Sequence, residues 1–308
     1  MLNLDQARVV EPILTEIVRG FSQNNMIRQV LFPDVPVRTR KGKVIKFGKE
    51  GFVPENTSRA PGGKVNYVTV GFDGDEYNLL NDGLGWKLPM EDVDEAREVP
   101  HIDLITEAMQ VVTMKTDLGE ELRASQLATT IANYAAGNAI TPTSTDKWDQ
   151  STANVLDQIR LGKEQIRAGI GRKPNTMVLG PKAFDILQEN QGIRDQFKYT
   201  SSKSITLDMV AEYFQIEKVV IGEAVQYDPT SDDFLDVWNS DCLLAYVNRE
   251  GKSRRLPSYG YTYRHKDSPA AGPQRWDADE RSWKGDLYWE QRALLTSDRA
   301  GFLIKSVI

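Results

Sequence analysis

DLITEAMQVVTMKTDLGEELRASQLATTIANY, residues 103–134, contains no proline and is rich in Leu, Ala, Glu, Gln, Met and Thr. Leu104, Ala108, Val111, Leu118, Leu122 and Ile131 recur at three- and four-residue spacings that put them near one stripe of a helix. Pro100 stands before the start, where a proline is harmless, and Gly137-Asn138 closes the end. At 1.5 Å per residue such a helix is about 48 Å long, several times the ordinary length in globular proteins. A helix of that length crosses a whole domain as a strut, and the rest of the chain is read by what the strut braces.

Immediately upstream the chain is acidic. Glu91, Asp92, Asp94, Glu95 and Glu98 lie ahead of the strut, where the helix dipole favours negative charge. Residues 38–86 read as a projecting β-hairpin. Lys43-Val44-Ile45-Lys46-Phe47 forms one strand and Val65-Asn66-Tyr67-Val68-Thr69-Val70 its return, with Gly- and Pro-rich turn chemistry between them. Such a hairpin is poorly stable alone, so it docks on a neighbour or stays a loose loop. Arg38, Arg40, Lys41, Lys43, Lys46 and Lys49 crowd its rising side. Lysines protect edge strands from aggregation. They equally make a face for an acidic partner, either another subunit or a phosphate backbone. Before the hairpin, Leu31-Phe32-Pro33-Asp34-Val35-Pro36-Val37 is forced into an extended path by its prolines, an arm with little capacity to form its own core.

Downstream, residues 139–149 form a polar linker and 149–168 a second helix. Met177-Val178-Leu179, Val219-Val220-Ile221 and Leu243–Val247 are apolar strands, with helices expected from Pro181 to Gln188 and from Leu207 to Phe214 between them. Alternating helices and apolar strands make residues 151–255 a compact α/β block. Beyond it Tyr259, Tyr261 and Tyr263 alternate along a strand, Pro269–Glu280 is a loop, and Tyr288–Leu295 and Phe302–Val307 are closing strands. Trp276, Trp283 and Trp289 cluster with Arg275, Arg281 and Arg292, a set suited to an interface or core and also to stacking single-stranded bases.

The composition narrows the function. The chain has 308 residues, 40% of them hydrophobic, and a net charge of −6, so no general attraction to nucleic acid is written into it. Charge is nevertheless segregated. Residues 1–60 hold ten Lys/Arg against six Asp/Glu, whereas residues 73–107 hold two against eleven. Cys242 is the only cysteine and sits among apolar neighbours, which excludes an internal disulfide and reads as a small core residue. No apolar run reaches eighteen residues, and the expectation is a soluble protein made in the cytoplasm, with no membrane partner. His101 and His265 are the only histidines, and neither lies near a nucleophile elbow or in metal-ligand spacing. Gly169-Ile170-Gly171 precedes a strand, the reverse of a dinucleotide loop. No catalytic, cofactor-binding or metal residue is assigned, and the chain reads as not an enzyme.

The order of parts resembles the major capsid proteins of tailed double-stranded-DNA bacteriophages, whose fold is shared with encapsulins and the herpesvirus capsid floor. The residues that carry the likeness are Asn25-Met26-Ile27 and Leu31-Phe32-Pro33 in the arm, Lys43–Phe47 opening the loop, and Asp103–Tyr134 as the spine. Asn175–Pro181 with Leu187 and Asn190, Val219–Gly222 and Leu243–Val247 carry it in the central block. The likeness is one of architecture across the chain and rests on no single motif.

The resemblance implies an α+β fold with five parts. Residues 1–37 are the N-terminal arm and 38–86 the extended β-hairpin loop. Residues 87–150 form the peripheral domain with the spine helix, 151–255 the central axial α/β domain, and 256–308 the return to the peripheral domain. It also implies self-assembly into hexamers and pentamers of an icosahedral shell around double-stranded DNA, touched non-specifically through its phosphates. A separate scaffolding protein, a portal and decoration proteins are the further partners. Arm and loop would lie across neighbouring subunits, and the basic residues 38–49 would rest on the acidic residues 91–98 of a neighbour. The competing readings are an encapsulin-like compartment and a cytoplasmic α/β enzyme with a hairpin lid.

Overall fold

The computed structural model describes residues 26–44, 53–54, 57–59, 61–62, 64–65, 67, 76–98, 103–150, 153–197, 205–249 and 257–308. The chain enters through a one-turn helix α1 (Arg28–Leu31) and strand β1 (Asp34–Val37). Strands β2 (Lys41–Lys43) and β3 (Glu76–Asn78) pair antiparallel, with Lys41 opposite Asn78, and form the root of the loop. Lys43 is the one residue of the expected first strand inside β2. Residues 45–47 and most of the return strand lie outside the described residues.

Strand β4 (Leu80–Pro89) follows, then helices α2 (Met90–Glu98) and α3 (Leu104–Thr129). Residues 80–86, read as the end of the hairpin, do not pair with its rising strand. They pair antiparallel with the C-terminal strand β14 (Ser282–Leu295), Leu80 opposite Gln291 and Pro89 opposite Ser282. The acidic segment is also a helix of its own, not the first turns of the spine.

The spine helix α3 starts where expected. Asp103 caps it by accepting from the amides of Ile105 and Thr106 at 3.2 and 3.3 Å. It ends five residues before Tyr134. Thr129-Thr130-Ile131 is a β-branched run, and Thr130 takes extended backbone angles before a single 3-10 turn at Ile131–Asn133. Asn133 Nδ2 and the Tyr134 hydroxyl donate to the carbonyls of Leu127 and Ala128 and so close the helix end. The buried face differs from the expected stripe. Val111 and Ile131 are exposed, whereas Met109, Val112, Thr113, Glu120, Glu121, Ala124, Ser125 and Ala128 are buried.

The central block is a five-stranded sheet ordered β5-β15-β10-β6-β7, where β5 is Ala139–Ile140, β6 Thr176–Leu179, β7 Lys218–Ile221, β10 Cys242–Ala245 and β15 Gly301–Ile304. The linker after the spine thus contributes an edge strand, parallel to β15. Strands β6, β10 and β15 are buried at every position, as unbroken apolar runs covered on both faces must be. Helix α4 (Val155–Ile170) lays Ile159, Gly162, Ile166 and Ile170 on this sheet and stops at Gly171 in the left-handed conformation. Helices α5 (Pro181–Glu189) and α7 (Leu207–Phe214) start at a first-turn proline and a Thr206 cap respectively, with α6 (Gln191–Phe197) between them.

The other large sheet is built on β14. Strand β11 (Gly260–His265) pairs with it antiparallel and with β1 in parallel, while β4, β12 (Ala270–Ala271) and β13 (Arg275–Asp277) add to its remaining edges. The expected loop from Pro269 to Glu280 therefore holds two short strands. Trp86, Met109, Val112, Leu287 and Trp289 fill the space between this sheet and the spine. Tyr261 and Tyr263 cover Val35, Val37 and Tyr77 on the loop side. Trp276 and Trp283 pack edge to face, ring centroids 5.5 Å apart, and Trp276 is largely open to solvent.

Candidate functional site

Where arm, spine and both sheets meet, the fold buries charge. Glu121 sits in the middle of α3 with no exposed surface. Its Oε1 accepts from the Ile27 amide at 3.0 Å and from Trp238 Nε1 at 2.7 Å, and its Oε2 accepts from the Arg28 amide at 2.9 Å. One carboxylate thus ties the arm and the central block to the spine. Arg28 Nη2 reaches Asp117, one turn earlier, at 3.2 Å. Glu120 takes Arg123 Nη1 at 2.7 Å, and Arg123 extends to Asp82 of β4 at 2.5 Å. On the next strands Arg264 pairs with Asp34 at 3.1 Å and donates to Gln291 Oε1 at 2.9 Å.

Burial raises the carboxyl pKa of both Glu120 and Glu121 above the ordinary glutamate value. For Glu121 the donors from Trp238, Arg28 and Ile27 pull against it, and for Glu120 the charges of Arg28 and Arg123 do. Burial lowers the Arg264 pKa, against the pull of Asp34. The chemistry available here is orientation of elements. Among the described residues no cluster of three His, Cys, Asp or Glu is arranged to hold a metal ion, and no helix is long and apolar enough to cross a membrane.

The proposed contact residues fall on two surfaces. Lys41 and Lys43 are exposed on β2, and Arg38 is exposed with its carbonyl 3.3 Å from His265 Nε2. Arg40 is spent within the chain in a bidentate pair with the buried Glu290, at 3.0 and 3.1 Å. Lys46, Lys49 and His101 lie outside the described residues. Glu91, Asp92, Asp94 and Glu95 are exposed along α2, Glu91 lies 3.4 Å from Arg281, and Glu98 ends the helix. Arg40 and Glu91 therefore take other partners in their own chain rather than each other.

Sequence reasoning missed the buried carboxylates. Their signal is a polar interruption: Asp117, Glu120 and Glu121 occupy the face that Met109, Val112, Ala124 and Ala128 define. It also missed a hairpin, β8 (Val225–Asp228) and β9 (Asp233–Asp236).

Comparison with known proteins places this architecture. The model of the family "Phage major capsid protein E" matches residues 94–280. The major capsid protein of Burkholderia phage BcepMu is 32% identical over 312 residues, covering 100% of this chain and 99% of that protein. The crystal structure of a phage-related protein from Bordetella bronchiseptica superposes with a TM-score of 0.83 at 32% identity, over 98% of this chain and 99% of that one. An encapsulin of Synechococcus elongatus shares the fold alone, with a TM-score of 0.56 at 11% identity over 93% of this chain and 88% of that one. End-to-end likeness of sequence and of fold, with the family model spanning more than half of the chain, makes this protein a member of the phage major capsid protein E family.

Proposed function

We propose that this capsid protein assembles into hexamers and pentamers of an icosahedral shell enclosing double-stranded DNA. The observation that carries the reading is the full-length likeness to the BcepMu major capsid protein, 32% identical over 312 residues. In this reading residues 151–255 are the axial domain around which the capsomers close. Residues 87–150 and 256–308 form the periphery, apart from β5 and β15, which complete the central sheet, and residues 1–37 and 38–86 are the arm and the extended loop. The packing of Met109 and Val112 of the spine against Leu287 and Trp289 of β14 supports joining the two peripheral stretches. Within residues 26–37, Ile27, Leu31, Phe32, Val35 and Val37 pack into the core of their own chain.

The exposed cations at the loop root, Arg38, Lys41 and Lys43 with Lys46 and Lys49, rest on Glu91, Asp92, Asp94, Glu95 and Glu98 of an adjacent subunit. A separate scaffolding protein and a portal complete assembly, decoration proteins bind outside, and packaged DNA is touched through its phosphates without base readout.

Electron microscopy of the expressed chain tests the reading. Shells, tubes or rings are expected, and a dispersed monomer rejects it. The Lys43→Glu/Lys46→Glu variant is expected to fold and to lose shells; normal shells from it sink the loop-to-helix contact. Closed shells of one small size that enclose protein in place of DNA would favour a compartment over a capsid.

A further inference from the structure

Strand β4 lies at the rim of the β14 sheet. One of its edges is laddered to β14 from Leu80 to Pro89, and among the described residues no strand pairs with the other. The outward N–H and C=O groups of a ten-residue strand stand along that edge, a row about 33 Å long.

Natural edges of that length are blunted with a lysine, a proline, a bulge or an inward-pointing charge. Residues 80–86 contain no Lys, Arg or Pro. The register to β14 advances one for one, with no bulge. The one charge, Asp82, is taken by Arg123 of the spine. Leu80 and Leu84 stay 38% and 40% exposed, and Lys87 and Pro89 come only at the end, where α2 begins. Such an edge suits strand addition, in which backbone hydrogen bonds hold the partner and alternate side chains set the register.

Those side chains select the occupant. Period-two alternation puts Leu80, Asp82, Leu84, Trp86 and Leu88 on the face toward the spine, fixed by the Asp82–Arg123 pair and by Trp86 and Leu88 packing with Met109 and Val112. A second β4 laid antiparallel, about a two-fold axis perpendicular to the sheet, keeps that face continuous, so even-numbered residues meet even-numbered ones. Centred on Leu84, the pairing sets Leu84 against itself, Leu80 against Leu88 and Asp82 against Trp86. On the other face Asn81 meets Lys87 and Gly83 meets Gly85. Both exposed leucines are then covered by leucine, and no like charges meet. A register centred on Asp82 also joins leucines, Leu80 to Leu84, but it sets two carboxylates opposite each other, which is unfavourable. The strand is its own complement in one register.

We propose that the free edge of β4 pairs antiparallel with β4 of a second copy of this chain about a two-fold axis at Leu84, joining two β14 sheets into one. This pairing rests on the self-assembly proposed above and names a strand that performs it. A two-fold contact does not close a ring of five or six, so it joins subunits of adjoining capsomers.

The test is Leu84→Cys in assembled particles. Directly opposed residues of an antiparallel pair lie about 4.5–5.5 Å apart at Cα, within disulfide reach. Cys242 is fully buried and stays out of the chemistry. Mild oxidation should give covalent dimers and nothing larger, because the contact consumes the one accessible thiol of each copy. Leu80→Cys alone should give no dimers, and Leu80→Cys/Leu88→Cys should give them. Shells of Leu84→Cys that oxidise without dimers overturn the proposal, the result expected if an extended segment of another protein held the edge. If the unsubstituted chain forms no shells, the shell reading fails by itself. The pairing is then read on the soluble chain, where Leu84→Cys dimers uphold it and their absence rejects it. A second variant, Leu84→Lys, sets two cations opposite each other on the axis and protects the edge. It should melt with the unsubstituted chain and form no shells at concentrations where that chain assembles. Shells at the unsubstituted yield contradict the pairing, and if this variant melts early the cysteine result decides.

Discussion

Glu121 is where a single side chain bears most on the fold. A glutamine there keeps the shape but supplies only one acceptor oxygen, so the amides of Ile27 and Arg28 and the Trp238 indole N–H cannot all be satisfied. Glu121→Gln should lower stability by about 1–3 kcal/mol, the cost of an unpaired buried donor, read as a fall in the denaturant midpoint. It should also change the pH dependence. Burial raises the Glu121 and Glu120 carboxyl pKa values in the folded chain, so these groups bind protons more readily folded than unfolded. Their favourable contribution is full below the unfolded glutamate value of about 4.3 and is lost as pH rises through the raised folded values. Thermal melts of the two chains at pH values above the ordinary glutamate value should show a smaller loss of stability with rising pH in Glu121→Gln; an identical pH dependence would assign the titration elsewhere. Cys242 is the opposite case, legible beforehand because apolar neighbours announce a core position. Burial pushes its thiol well above the ordinary range, so a thiol reagent should label it only at the rate of unfolding. Glu121 was not legible, because a glutamate inside a helix reads as a solvated residue until the arm and Trp238 are brought to it from 94 and 117 residues away.

Two glycines separate what an element requires from what it tolerates. Gly119 lies inside the spine helix, and a Cβ there meets nothing within 4 Å, so the residue makes no room for a neighbour. Gly119→Ala should therefore stabilise the chain by about 1 kcal/mol through helix propensity. Gly162 lies inside α4, where a Cβ would stand 2.6 Å from Phe302 Cδ1 and 2.8 Å from Leu244 Cδ1. Gly162→Ala should cost about 1–3 kcal/mol by overpacking, and melting curves of the two variants should move in opposite directions. Elements whose signal is local could be read ahead of the structure: the apolar strands β6, β7 and β10, the helix start at Pro181, and the start of the spine at Asp103. The spine's end was misplaced because apolar spacing continues through Ile131 while the β-branched run already breaks the helix. Strand β4 was assigned to the loop because its partner β14 lies some 200 residues away in the chain, and no short-range pattern records that pairing.

At the scale of the molecule, the assembly proposed above draws on charges exposed on the surface of the chain. The loop root exposes Arg38, Lys41 and Lys43, and helix α2 exposes Glu91, Asp92, Asp94 and Glu95. The core that holds each subunit together is largely apolar, centred on buried residues such as Leu179, Leu244, Phe302 and Trp238. Exposed charges are screened over about 10 Å at 0.1 M salt and about 3 Å at 1 M, whereas buried apolar contacts hardly respond to sodium chloride. Raising salt across that range should slow assembly, followed by light scattering, while the melting temperature of the unassembled subunit stays nearly constant. The order of arm, loop, spine and central block made the family legible, but the placement of opposite charges on one surface or another was not, because Arg40 found its partner in the distant strand β14 and Glu91 in the turn that precedes it. The salt response separates the two ways of holding a shell together. Assembly that quickens with salt would mean that apolar contacts between subunits dominate and that the charged surfaces only orient the approach. Assembly that slows would place the charged loop root and helix α2 on the path by which subunits meet.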